Sequence, residues 1–138
     1  MPKKNIRNII IIAAIFVGVT LYSIISGGDT MILDFNETTL TIHGVSDFTE
    51  TMEYSDIESA EYMDSIPEVG TMVSGYEKGQ YSCGTWENEQ YGAYRLFITD
   101  KAENCIKLTL TDGSIILFNY IQTYHTQEVY EMLLEFLN

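Results

Sequence analysis

The chain has 138 residues, and its few chemically versatile side chains are two histidines, two cysteines and twenty acidic residues. His43 falls in a predicted turn and His125 near a predicted helix start. Neither has a second ligand at zinc-site spacing, so no metal site is expected from them. Asp34-x-Asn36-x-Thr38 alternates oxygen-bearing side chains as a calcium loop does, but it lacks that loop's glycine and bidentate glutamate. Glu50, Glu53, Asp56, Glu58, Glu61, Asp64 and Glu68 form the densest acidic run. Such a run can hold a divalent cation weakly, or it can be a solvated strand edge whose charge blocks aggregation. Ser74, Ser82 and Ser114 stand in no Gly-x-Ser-x-Gly elbow and have no histidine beside them. No glycine-rich loop follows a strand to cradle a phosphate. No catalytic constellation emerges, and neither an enzymatic activity nor a cofactor is expected. Asn36-Glu37-Thr38 matches a glycosylation acceptor, a pattern that is common by chance.

Cys83 and Cys105 are an even pair, which makes them a candidate disulfide if the domain lies outside the cytoplasm. A simple meander argues against it. The strands holding them would flank the strand over 92–99, and two strand spacings come to about 9–10 Å. A bridge needs Cα atoms within about 7 Å, which only a bend or adjacent strand ends would supply. Tyr76, Tyr81, Trp86, Tyr91 and Tyr94 gather around one predicted loop region. Trp86, beside the polar turn Glu87-Asn88-Glu89-Gln90, is the first candidate for an exposed anchor, with Tyr76 and Tyr91 as neighbours on an interaction surface.

The elements that must position these residues begin with a hydrophobic leader. Residues 9–25 carry no charge, and Lys3, Lys4 and Arg7 precede them. Seventeen residues at helical rise reach about 25 Å, and flanking Asn8, Ser26 and Gly27 extend this toward the hydrocarbon thickness of a bilayer. The reading is a basic tail over 1–8, a single transmembrane helix over 9–26 and a domain over 29–138. A signal h-region is shorter, about 7–15 residues, which favours a retained anchor over cleavage before Asp29. The positive-inside rule puts the N-terminus in the cytoplasm and the domain on the extracytoplasmic side of the cell membrane.

Charge sharpens that picture. After residue 28 the chain has four basic and twenty acidic residues, a net −16, against +3 in the leader. A domain so acidic is a poor partner for nucleic acid or anionic headgroups, both of which need a positive field.

Within the domain, alternation of apolar and polar residues marks short strands around 31–35, 39–43 and 48–54, with Glu50 breaking the third. A bulge or strand end is expected there. Further strands are expected at 71–75, 80–86, 92–99, 106–111 and 114–119, with Gly75 to Gly79 as loop and Asp112-Gly113 as a hairpin turn. The 92–99 and 106–111 strands read as a neighbouring pair. The period then changes: Val129, Met132, Leu133, Phe136 and Leu137 share one helix face, with Thr123 or Thr126 as cap. About seven short strands and one amphipathic C-terminal helix make a mainly β domain in which the helix covers what the strands cannot bury on each other.

Tyr54-Ser55-Asp56-Ile57, the glycines Gly70, Gly75 and Gly84, the run from Tyr91 to Phe97, Thr111-Asp112-Gly113 and the closing run from Glu128 to Leu133 resemble the bacterial pleckstrin-homology-like (PH-like) domains. The resemblance covers about residues 29–138. It implies a seven-stranded, strongly bent antiparallel barrel capped by one C-terminal helix, often found beside membrane helices. Eukaryotic relatives bind inositol phosphates through basic loops. Here the connections at 36–38 and 43–44 hold no lysine or arginine, so phosphoinositide binding is not expected. The leading functional reading is a membrane-anchored, non-catalytic binding or scaffold module for an unknown protein partner, acting through an open strand edge or the Trp86 loop. The alternatives are a structural subunit that assembles through its transmembrane helix, or a secreted PH-like protein if the leader is cleaved.

Overall fold

The computed structural model describes residues 31–137, with residues 46, 47 and 121 left aside. The basic tail over 1–8 and the expected anchor over 9–26 lie outside the described residues. Among the described residues no helix is long and apolar enough to cross a membrane.

Strands β1 (Ile32–Phe35), β2 (Thr39–His43) and β3 (Thr49–Glu53) form one antiparallel sheet in chain order. A 3-10 turn, Tyr54–Asp56, leads into β4 (Ile57–Met63). Then come β5 (Thr71–Lys78), β6 (Tyr81–Asn88), β7 (Gly92–Thr99), β8 (Cys105–Leu110) and β9 (Ile115–Phe118). These six form a second sheet in the order β4-β8-β9-β7-β6-β5. Helix α1 (Thr123–Leu137) follows. The architecture is mainly β with one C-terminal helix, as the alternation pattern implied.

Two features depart from the expected seven-stranded antiparallel barrel. Nine strands are present among the described residues, and β9 runs parallel to β7, with Arg95 opposite Ile116 and Phe97 opposite Phe118. The Asp112-Gly113 hairpin forms as expected and pairs Ile106 with Phe118 and Thr109 with Ile115. It folds β9 into the gap between β7 and β8, so those two strands are not neighbours. Strand β4 escaped the alternation pattern because it is a sheet edge, with only Ile57 buried and a bulge between Ile57 and Ser59. Gly75 to Lys78 is strand rather than loop. Gly75 lies directly opposite Gly84, and a Cβ on Gly75 would collide with the Cys83 carbonyl oxygen. Glycine here permits close backbone approach at a sheet bend.

Burial follows from the strand order. The larger core sits between the two sheets and α1. Leu33, Leu40, Ile42 and Met52 come from the first sheet; Cys83, Phe97, Ile106, Leu108, Ile116 and Phe118 from the second; Val129 and Leu133 from the helix. A second cluster, Trp86, Tyr94, Leu96, Ile98, Cys105 and Leu117, covers the opposite face of the six-stranded sheet, with Ile66 and Val69 packed against it. The 64–70 segment is therefore a lid over that face. Strand β9 is buried on both faces, which is why Ile115-Ile116-Leu117-Phe118 is a continuous apolar run.

The third strand also differs from expectation. Strands β2 and β3 keep unbroken register through Glu50. Glu50 meets Arg95 of β7 at 3.0 Å and joins the two sheets. The carboxylate that interrupts the apolar pattern is thus an inter-sheet ion pair, and no bulge is needed to turn it outward. On α1, Val129, Met132 and Leu133 are buried, and Phe136 stacks on Phe35 and Tyr54 with ring centroids 5.4 and 4.9 Å away. Thr123 and Thr126 tie the start of the helix to the connections before it. The Thr126 hydroxyl accepts the Tyr120 N–H at 2.9 Å, and that of Thr123 accepts the Glu103 N–H at 3.0 Å.

Placing β9 between β7 and β8 forces the 100–104 connection to pass the end of β9, where backbone groups need partners. Asn119 supplies them. Its Oδ1 accepts the Thr99 N–H at 2.8 Å, and its Nδ2 donates to the carbonyls of Thr99 at 2.9 Å and Asn104 at 3.2 Å. Asn119 is 1% exposed, so these bonds are shielded from solvent. Asn119→Ala is expected to cost about 2–4 kcal/mol, since it leaves buried donors and acceptors unmade. Urea denaturation of the full chain in detergent measures this, and a loss below 0.5 kcal/mol would contradict the role given to Asn119.

Candidate functional site

The aromatic surface expected around Trp86 does not form. Trp86 is 4% exposed, and its indole N–H donates to the Cys83 carbonyl at 3.3 Å. It lies in the second cluster, with Ile66 and Val69 of the 64–70 lid packed on that cluster, and so it is not an exposed anchor. Tyr91 is half-buried beside it, edge-on to Tyr94 at 5.5 Å, with the Lys107 ammonium 5.0 Å from its ring centroid. Tyr76, directly opposite Cys83 on β6, packs against the other core. The three aromatics belong to opposite faces of one sheet.

Both cysteines are free and buried, so the candidate disulfide is absent. Cys83 packs with Phe97 and Phe118 between the sheets, while Cys105 packs with Leu96 and Leu117 on the other face. Three strand spacings, about 14 Å, separate β6 from β8 once β7 and β9 intervene. Burial pushes both thiols up, that of Cys105 to about 11, with nearby Glu61 adding to the effect. Such thiols are poor nucleophiles at neutral pH.

The remaining candidates are dispersed. His43 ends β2, and His125 lies in α1 against the rings of Tyr120 and Tyr124. Within the acidic run, Glu50 pairs with Arg95, Glu61 lies 3.9 Å from Lys107, and Glu53 and Asp56 close a capping box on the 3-10 turn. Among the described residues no group of three or more His, Cys, Asp or Glu side chains could hold a metal ion. Asn36 closes its own turn, with its N–H donating to the Thr39 carbonyl at 2.8 Å.

What the fold does present is a strand edge. β5 ends the six-stranded sheet, and among the described residues its hydrogen-bonded neighbour is β6 alone. Residues 71–74 are all exposed, Met72 at 43% and Val73 at 59%. Val73 is the extra residue of a bulge, because Met72 faces Trp86 while Ser74 faces Thr85. A bulge at an edge re-aims a side chain, and here it leaves two consecutive apolar residues in solvent. The edge is firmly held from behind. Tyr94 Oη donates to the Val69 carbonyl at 2.7 Å, and Asn88 Nδ2 to the Glu68 carbonyl at 3.0 Å. At the start of β5 an open cleft of about 590 Å³ is lined by Glu68, Gly70, Thr71, Glu87 and Glu89 among others. The residue pattern located a strand at 71–75 but not its place at the sheet edge, because strand order depends on pairings far apart in the chain.

A family model for the bacterial PH domain matches residues 31–128, and the chain belongs to that family. No curated protein and no solved structure matches it. PH domains are generally non-catalytic binding modules for protein or lipid, so the family and the open edge both direct attention to binding.

Two measurements follow from this geometry. A thiol assay on the native chain should find neither cysteine reactive at pH 8 and both reactive after denaturation, with the same total with or without reductant. A total that rises on reduction would show a bridge. The Cys105 thiol titrates near 9 when unfolded and near 11 when folded. The folded state therefore holds the proton more tightly, and the associated stability is full below pH 9 and lost as pH rises through 11. Chemical denaturation at pH 8, 9, 10 and 11 should show this decline, and Cys105→Ala should make it shallower. The remainder comes from Cys83 and buried tyrosines such as Tyr94, which burial also pushes up.

Proposed function

We propose that the chain is a single-pass membrane protein that holds its PH domain at the outer face of the cell membrane as a non-catalytic module for binding another protein. The leader from Lys3 to Ile25 and the step from +3 to −16 across it support the location and orientation. The observation that carries the binding reading is the free β5 edge with exposed Met72 and Val73. An edge strand offers unpaired N–H and C=O groups in a row, and sequences usually protect such a row with lysine, proline or cover. The lysine of β5, Lys78, stands at its far end, and residues 71–74 carry neither lysine nor proline. A partner strand laid along β5 satisfies those groups and covers the two apolar side chains.

Protein is favoured over lipid on electrostatic grounds. Arg95 and Lys107 are both engaged with carboxylates, and the β1–β2 turn is Asn36-Glu37-Thr38. With four basic against twenty acidic residues after residue 28, anionic headgroups meet a net negative domain.

Hydrogen exchange tests the reading. In native membranes the amides of 71–78 should exchange at least tenfold more slowly than in the purified full chain, and Val73→Lys should abolish that difference. Equal exchange in both preparations would refute an edge-bound partner. A reporter enzyme fused after Asn138 should be active only outside the cytoplasm, and activity inside would refute the orientation.

A further inference from the structure

We infer that the β5 edge selects an extended segment carrying a lysine or arginine about two residues from an apolar side chain. This inference rests on the edge-binding reading above and adds the chemistry of the partner. Thr71 belongs both to β5 and to the cleft lining, so the cleft continues the edge toward the strand's start. Glu68, Glu87 and Glu89 contribute three carboxylates to that lining and no basic residue faces them within it. The ion pairs of Arg95 with Glu50 and Lys107 with Glu61 draw on other carboxylates. Val73 lies two residues beyond Thr71, and since it is the extra residue of the bulge the two are no further apart than about 6.6 Å, the span of two residues at full strand rise. A strand added to β5 therefore places one side chain over Met72 and Val73 and a side chain two positions along at the cleft mouth. Side chains two apart on a strand point the same way, so both contacts come from one face of the added segment.

Charge also discriminates between occupants. A second copy of this domain would bring another −16 and the same three carboxylates to the edge, so β5-to-β5 pairing concentrates like charge. A basic segment removes that repulsion and supplies the missing counter-charge. Lysine and arginine also have the reach to bring a cation from the strand backbone into an open cleft. The carboxylates give preference and faster encounter, while the main-chain ladder gives register.

The test uses the purified full chain in detergent and two synthetic nine-residue peptides, one alternating valine with lysine and one alternating valine with glutamate. The lysine peptide should bind and slow exchange of the 71–78 amides, and the glutamate peptide should not. The triple variant Glu68→Gln, Glu87→Gln, Glu89→Gln should weaken the lysine peptide at least tenfold. A control triple at Glu37, Glu58 and Glu131, which carries the same net-charge change outside the cleft, should weaken it less than threefold. Both triples should keep the wild-type thermal midpoint within a few degrees. If the peptides bind equally well, or the two triples behave alike, the cleft does not select a cation, and the edge reading survives without it. If neither peptide protects 71–78, the proposal fails; persistent protection in native membranes would then leave the edge reading standing. If protection instead rises with protein concentration alone, a second copy is the occupant and the basic-segment proposal is overturned.

Discussion

Four residues, Ile115 to Phe118, set the terms for the rest of the domain. As β9 they hydrogen-bond to β8 on one side and β7 on the other, and Ile116, Leu117 and Phe118 are at most 1% exposed. A strand buried on both faces needs apolar material above and below it. The three-stranded sheet and α1 supply one cover, and the 64–70 segment supplies the other. Each of these elements is held in place by that requirement. Placing β9 beside β7 also separates β7 from β8, and the polar cost of that separation is met by the Asn119 amide.

The same constraint settles which residues face solvent. Trp86 sits on the sheet face that the 64–70 segment must cover, so it cannot serve as a surface anchor. Cys83 and Cys105 fall on opposite faces of the sheet, with two strands between them. At the far end of the strand order β5 has β6 on one side and, among the described residues, no strand on the other. The open edge is thus a consequence of a sheet built outward from β9. The bulge at Val73 then gives that edge an apolar patch beside an acidic cleft.

Much of this was legible in the residue pattern. Alternation located Tyr94, Leu96 and Ile98 on one face of β7 and Phe97 on the other, and the structure divides them between two cores in that way. The helix face from Val129 to Leu133 and the Asp112-Gly113 hairpin were equally plain, because period and turn chemistry are local. Glu50 was visible as an anomaly, but its explanation, Arg95, lies in another sheet. Strand β4 and the second half of β5 were not legible. An exposed edge strand loses the alternation that burial imposes, and the Gly75–Gly84 approach resembles a loop until the partner glycine is known.

By itself the sequence determined a mainly β domain with one amphipathic C-terminal helix, a strongly acidic surface and the PH resemblance. These properties depend on near neighbours in the chain and on summed charge. It also carried the charge step from +3 in the first 28 residues to −16 in the rest. Only the tertiary structure decided the strand order, the burial of Trp86, the separation of the cysteines and the freedom of β5. Those outcomes depend on which strands meet across long sequence separations, and a single parallel pairing between β7 and β9 changes all of them together.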